Sequence, residues 1–436
     1  MPDRKTVGVA FDVDGVLLRG PKALKGAKEA LQELDRNHIP WILLTNGGGY
    51  LEADKAKQIG QILDYPVNSE QLLIAHTPFR MLAKLFHDKP VLVVGKSQVH
   101  KIARSYGFKN TYDISDLHHQ WPTLFPDWKP VPKESEFDFS FETSHHHQAC
   151  PSSRRLEQPL ACVLSFMDPL YYHRDMQIVL DVLRSPDGWP VPTSSTAKAQ
   201  VLPQLTPADP LAQTLTATLS SAGFTAKQAQ ATLEKKAIKS NGNEALVGGQ
   251  LGLTLNRPEG GIPAFFAGPD LEYVTDHPLP RLGAGIFGDC VGYLFERTTG
   301  RQLTREICGK PYPITYKYAQ DFLAKRAVAL GYSGGLETVI AIGDNPASDI
   351  RGANQAGWIS ILVRTGMFQG TVNDPNDPAD MIVDDVHQAV RAILQGLPNG
   401  ISKSKQFRGS PIMKTPSRPA LSSHTHEEGL SQAQQP

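Results

Sequence analysis

Four cysteines in 436 residues, Cys150, Cys162, Cys290 and Cys308, leave no pair at the close spacing of a zinc or redox motif. A reduced compartment is the simpler expectation. Excess charge is missing too: 44 basic and 44 acidic side chains balance, so no broad attraction for nucleic acid or anionic lipid arises. No apolar run approaches the roughly twenty residues of a membrane span. The opening MPDRKT carries no apolar stretch of the secretory type. These absences point to a soluble intracellular protein, with no specific nucleic-acid partner and no integral membrane association. A P-loop is absent, as are a dinucleotide-binding glycine fingerprint near the first strand and the spacing of a calcium loop.

What is present is an alternation of short apolar strands and amphipathic helices. VGVAF from Val7 and WILLT ending at Thr45 read as strands. Between them Ala27, Ala30, Leu31 and Leu34 recur at helical spacing, which makes a βαβ unit. Parallel strands covered on both faces are apolar throughout, as these are. EQLLIAHTPFRMLAKLF has helical character, and KPVLVVG is a further strand. The same alternation returns late, in YPITYKYAQDFLAKRAVALG, ETVIAIGD and WISILVRTG. The expected organisation is therefore a Rossmann-like α/β core in two parts, residues 1–87 and 281–395, interrupted by a second α/β domain over 88–280 with irregular insertions. A single large sheet is the alternative. Serine, proline and glutamine dominate from 396 to 436, so a mobile tail is expected there.

Four stretches carry candidate chemistry. In FDVDG an apolar strand runs into Asp12 and Asp14, one residue apart, and then Gly15. The pair reads either as a solvated turn or as two carboxylates at a strand end, where open α/β sheets bind ligands. In LLTNGGG, Thr45, Asn46 and glycines 47 to 49 end another strand; they suit either a helix cap or an anion site. Lys310 in GKPYPITY is either a surface lysine or the partner of clustered carboxylates and phosphate. In VIAIGDNPASDI, Asp344 ends a strand and Asp349 follows near a helix start. Such oxygens suit magnesium, although Asp349 also fits a simple cap. The adjacent His145, His146 and His147 fall in a stretch without periodicity and read as an exposed insertion rather than a metal site.

In this order the four stretches resemble the motif set of the haloacid dehalogenase-like superfamily of phosphohydrolases. The insertion between Thr45 and Lys310 resembles the class IIA cap arrangement. FDVDGVLLRG, LLTNGGG, GPDLEY, PLPRLGAG, GKPYPITY and GDNPASDI are most similar to the cat eye syndrome critical region protein five-like branch. The resemblance implies a magnesium-dependent phosphohydrolase acting on a small phosphorylated metabolite through an aspartyl-phosphate. Asp12 would be the nucleophile and Asp14 the acid and base. Thr45, Asn46 and Lys310 would contact phosphate, while Asp12, Asp14 through its carbonyl, Asp344 and Asp349 would serve the metal. Gly268 stands where related caps commonly carry asparagine before Pro269 and Asp270, so no substrate contact through that amide is expected. The family is associated with mitochondria and with glycerophospholipid metabolism, and it is compatible with a homo-oligomer; a cytoplasmic location is the alternative. The competing functional reading is an inactive scaffold that binds phosphate or a protein partner.

Overall fold

The apolar runs beginning at Val7, Trp41, Thr338 and Ile359 lie side by side as the middle of one sheet. The structure is a computed structural model that describes residues 7–96, 98–126, 154–191, 261–275, 277, 279–332 and 336–397. The six-stranded sheet has the order Met381–Val383, Ile359–Val363, Thr338–Gly343, Val7–Phe11, Trp41–Thr45 and Leu72–Ile74, all parallel. Side chains alternate between its faces. Val9 and Phe11 enter a layer with Leu31, Leu34 and Val390, whereas Ala10 meets Tyr316, Ala319 and Leu323 on the other side. Helices Ala27–Arg36 and Val386–Leu394 supply the first layer and Pro313–Ala329 the second. Burial on both faces explains why these strands lack a polar side. Each large apolar side chain withdrawn from water there contributes about 1.5–3 kcal/mol.

A second parallel sheet is interposed between Ile74 and Thr338. Its five strands run in the order Arg305–Cys308, Ala264–Ala267, Cys162–Ser165, Val91–Val94 and Thr111–Tyr112. Phe79, Phe265 and Tyr106 pack on one face, and Ile178, Leu183 and Phe287 on the other. The architecture is thus a Rossmann-like parallel core with an inserted α/β unit.

Two expectations are corrected. The Arg305–Cys308 strand lies in the second sheet, paired with Ala264–Ala267, so the return to the core follows Cys308 rather than 280. Arg305 and Glu306 break the apolar run that would have marked the strand. EQLLIAHTPFRMLAKLF is not one helix. Leu72–Ile74 adds to the core sheet beside Trp41–Thr45, and Thr77–Met81 and Ala83–Phe86 form short separate turns. Pro78 at the first turn supplies no amide hydrogen, which suits it to a helix start and not to an interior. His145 to His147, residues 201–240 within the expected second domain and residues 398–436 of the expected tail lie outside the described residues. Among the described residues no helix is long and apolar enough to cross a membrane.

Candidate active site

Register brings three strand ends to one edge of the core. Phe11 pairs with Ile342 on one side and Leu43 on the other, so Asp12, Asp344 and Thr45 emerge together. The Asp12 amide donates to the Ile342 carbonyl at 2.9 Å, extending the ladder by one residue. Beyond this edge lies a cleft of about 280 Å³ between the two sheets, lined by Asp12, Asp14, Thr45, Lys310, Asp344 and Asp349 from the core. Met167, Asp168 and Asp270 line it from the inserted unit.

Lys310 is the hub. Its buried Nζ lies 2.6 Å from Asp12 Oδ1 and 2.6 Å from Asp349 Oδ1. The other oxygen of Asp349, Oδ2, accepts from the amides of Asp344 and Asn345 at 3.2 and 3.0 Å. Asp349 therefore ties the loop after Gly343 to the lysine. Asp344 Oδ2 accepts from the Met367 amide at 2.6 Å. Two glycines permit that approach: a Cβ on Gly15 would stand 2.3 Å, and one on Gly366 1.9 Å, from the same oxygen.

One carboxylate oxygen from each of Asp12, Asp344 and Asp349 falls within 4.8 Å of the others. Three acids thus surround a single lysine cation. Burial raises the pKa of Asp12 against the pull of Lys310, and burial with the repulsion of Asp12 and Asp349 holds Asp344 well above the carboxylate range. Asp349 is pushed up to about 6 by burial, with Lys310 opposing. Asp14 is raised by burial, partly offset by Lys55 and then Lys310. Lys310 goes the other way: burial alone would lower its pKa, but Asp12 and Asp349 carry it well above the ordinary value. Clustered hard oxygens with excess negative charge are a donor set that fits a divalent magnesium ion.

Thr45 Oγ1 accepts from the Gly47 amide at 3.0 Å, which leaves its hydroxyl proton to donate into the cleft. Asn46 bridges the core and the inserted unit. Its Nδ2 donates to Asp270 Oδ1 and to the Lys310 carbonyl, each at 2.9 Å, and its Oδ1 accepts from the Lys310 amide at 2.7 Å. These bonds form a clamp that seats Lys310. Asp270, whose pKa burial pushes up to about 7 against Lys310 and Asn46, was not singled out from sequence, although it stands in the cleft. GPD at a strand end was the available signal. In the other acidic grouping among the described residues, Asp113 and Asp116 cap helix Ile114–Gln120 and His100 bonds to Asp113 at 3.0 Å.

Two family models match parts of this chain. Residues 9–109 match a family described as haloacid dehalogenase-like hydrolase, and residues 307–389 one described as HAD-hydrolase-like. A cardiolipin synthase (CMP-forming)/mitochondrial hydrolase fusion protein of Schizosaccharomyces pombe is 31% identical over 393 residues, covering 88% of this chain and 52% of that protein. The chain therefore spans about half the length of that relative. A mitochondrial hydrolase of Saccharomyces cerevisiae is 28% identical over 409 residues, 90% of this chain and 96% of that one. A p-nitrophenyl phosphatase from Archaeoglobus fulgidus aligns over 89% of this chain and 100% of its own, with 13% identity and a TM-score of 0.48.

Proposed function

We propose that the protein is a magnesium-dependent phosphohydrolase of small phosphate monoesters, with Asp12 as nucleophile. The observation that carries this reading is the 2.6 Å contact of Lys310 with both Asp12 and Asp349 inside a cluster of three acids. Lys310 holds one oxygen of Asp12, and the other is left for bond formation. That oxygen attacks phosphorus, the bond from phosphorus to the ester oxygen breaks, and Asp14 gives the departing alkoxide its proton. Water then attacks the aspartyl-phosphate, Asp14 takes a proton back, and phosphate leaves with Asp12 restored. The Thr45 hydroxyl and neighbouring loop amides donate to the transferring phosphoryl oxygens, and Lys310 stabilises their charge.

Asp12, Asp344 and the backbone carbonyl of Asp14 would hold the magnesium. When bound, it neutralises charge on the phosphoryl group. Asp349, with both oxygens already accepting hydrogen bonds, acts by seating Lys310 and the loop of Asp344.

The second sheet serves as a class IIA cap, a reading supported by its interposition between Thr45 and Lys310, and the chain fits the cat eye syndrome critical region protein five-like branch, a reading supported by stretches such as FDVDGVLLRG and GPDLEY. A mitochondrial location is supported by the names of two relatives and is tested by imaging the tagged full-length protein. The function is tested by phosphate release from a panel of monoesters with and without magnesium, using wild type and Asp12→Asn. Metal-dependent release lost in the variant supports the reading; release unaffected by the substitution overturns it.

A further inference from the structure

Three lysines line the cleft, and two are neutralised by the protein itself. Lys310 is held by Asp12 and Asp349, and Lys96 Nζ lies 3.1 Å from Asp168 Oδ2. Lys55 has no carboxylate within ion-pair distance among the described residues. Its Nζ donates to the neutral Gln58 Oε1 at 3.1 Å and sits 5.1 Å from the centroid of the Tyr50 ring.

Helix stability does not explain this placement. Lys55 closes the first turn of helix Glu52–Leu63, where the macrodipole disfavours a cation by about 0.3–1 kcal/mol. Glu52, Ala56, Ile59 and Leu63 form the buried face, and Lys55 is half-buried beside them, towards the cleft. Among the charged groups near Asp14, Lys55 exerts the larger attraction, ahead of Lys310. In the phosphohydrolase reading Asp14 faces the departing oxygen. A cation on that side therefore meets the leaving group, while Lys310 meets the phosphoryl group.

Resting on that reading, we propose that Lys55 is a specificity residue that binds a second anionic group on the leaving portion of the substrate, a carboxylate or a second phosphate. The Lys55 ammonium itself lies over the Tyr50 ring face, which positions it before substrate arrives. A charge-assisted hydrogen bond of this kind is worth roughly tenfold or more in discrimination.

The test compares 2-carboxyethyl phosphate and ethane-1,2-diyl bisphosphate with propyl phosphate, which has no second charge. Wild type and Lys55→Gln are assayed with magnesium, and Lys55→Arg serves as the rescue. The readout is the ratio of kcat/KM for each charged ester to that for propyl phosphate, so any general effect on Asp14 cancels. Lys55→Gln is expected to reduce at least one ratio about tenfold, with Lys55→Arg restoring most of it. The ester whose ratio falls distinguishes carboxylate from phosphate. Unchanged ratios for both esters overturn the proposal. Calorimetric binding of the same esters to Asp12→Asn protein, with and without Lys55→Gln, supplies an arm independent of turnover. Selective binding without turnover would sink the hydrolase reading and retain the anion site; turnover with no selectivity would do the reverse.

Discussion

The side-chain amide of Asn46, at the end of a core strand, donates to the carboxylate of Asp270, in the inserted unit, at 2.9 Å. Asn46 also grips both the amide and the carbonyl of Lys310, so the position of that lysine is linked to the inserted unit. Asp270→Ala should therefore lower kcat more than it raises KM, by about a hundredfold if Lys310 shifts by about 1 Å. Asp270→Asn, which keeps an acceptor for Asn46, should retain most of the activity. Steady-state kinetics on both variants check this; equal losses would show that the charge, and not the clamp, matters.

Lys310→Met leaves Asp12, Asp344 and Asp349 without their shared cation. Removing one partner of a buried ion pair costs roughly 3–5 kcal/mol. Urea unfolding of metal-free protein should show a loss of that order, and magnesium should recover part of it by replacing the missing positive charge. A variant indifferent to magnesium would count against a metal at these acids.

Gly366→Ala places a Cβ within 1.9 Å of Asp344 Oδ2 unless the loop moves. The Met367 amide that orients Asp344 would be displaced with it. The expected result is a magnesium requirement raised by about tenfold or more, as for loss of an outer-shell partner, measured by titrating activity against the ion.

His76 gives a pH dependence remote from the acids. It is buried, bonded to the Tyr106 hydroxyl at 2.8 Å, and burial lowers its pKa from 6.5 to about 4. As pH falls the unfolded chain binds this proton first. The stabilisation is complete above pH 6.5 and is lost as pH drops from there towards 4. The slope from this group approaches about 1.4 kcal/mol per pH unit. Chemical denaturation between pH 7 and pH 5 should show the stability of wild type relative to His76→Phe falling towards that slope, a difference from which the buried carboxyls common to both proteins cancel.

The core was legible because its strands are buried on both faces and stop abruptly at acids: VGVAF gives way to Asp12, and TVIAIG to Asp344. The magnesium and phosphate roles came from resemblance, since DVDG alone is also an ordinary turn. The clamp formed by Asn46 is not legible in the sequence because its partners, Asp270 and Lys310, stand 224 and 264 residues away, and nothing local distinguishes a clamp from an anion contact. In the sequence Leu72–Ile74 merges with the helical stretch that follows, because a three-residue edge strand is too short to show a period of two. Lys55 drew no notice for a similar reason: within EADKAKQIG it is one of several surface charges, and only the fold turns it to the cleft.

The central claim is a covalent bond between Asp12 and phosphorus. Borohydride added during turnover with magnesium reduces an aspartyl-phosphate to an alcohol, which peptide mass spectrometry locates. The account predicts that reduction at Asp12, dependent on substrate and absent from Asp12→Asn. Rapid phosphate release with no trapped residue, or trapping at any other carboxylate, would contradict it.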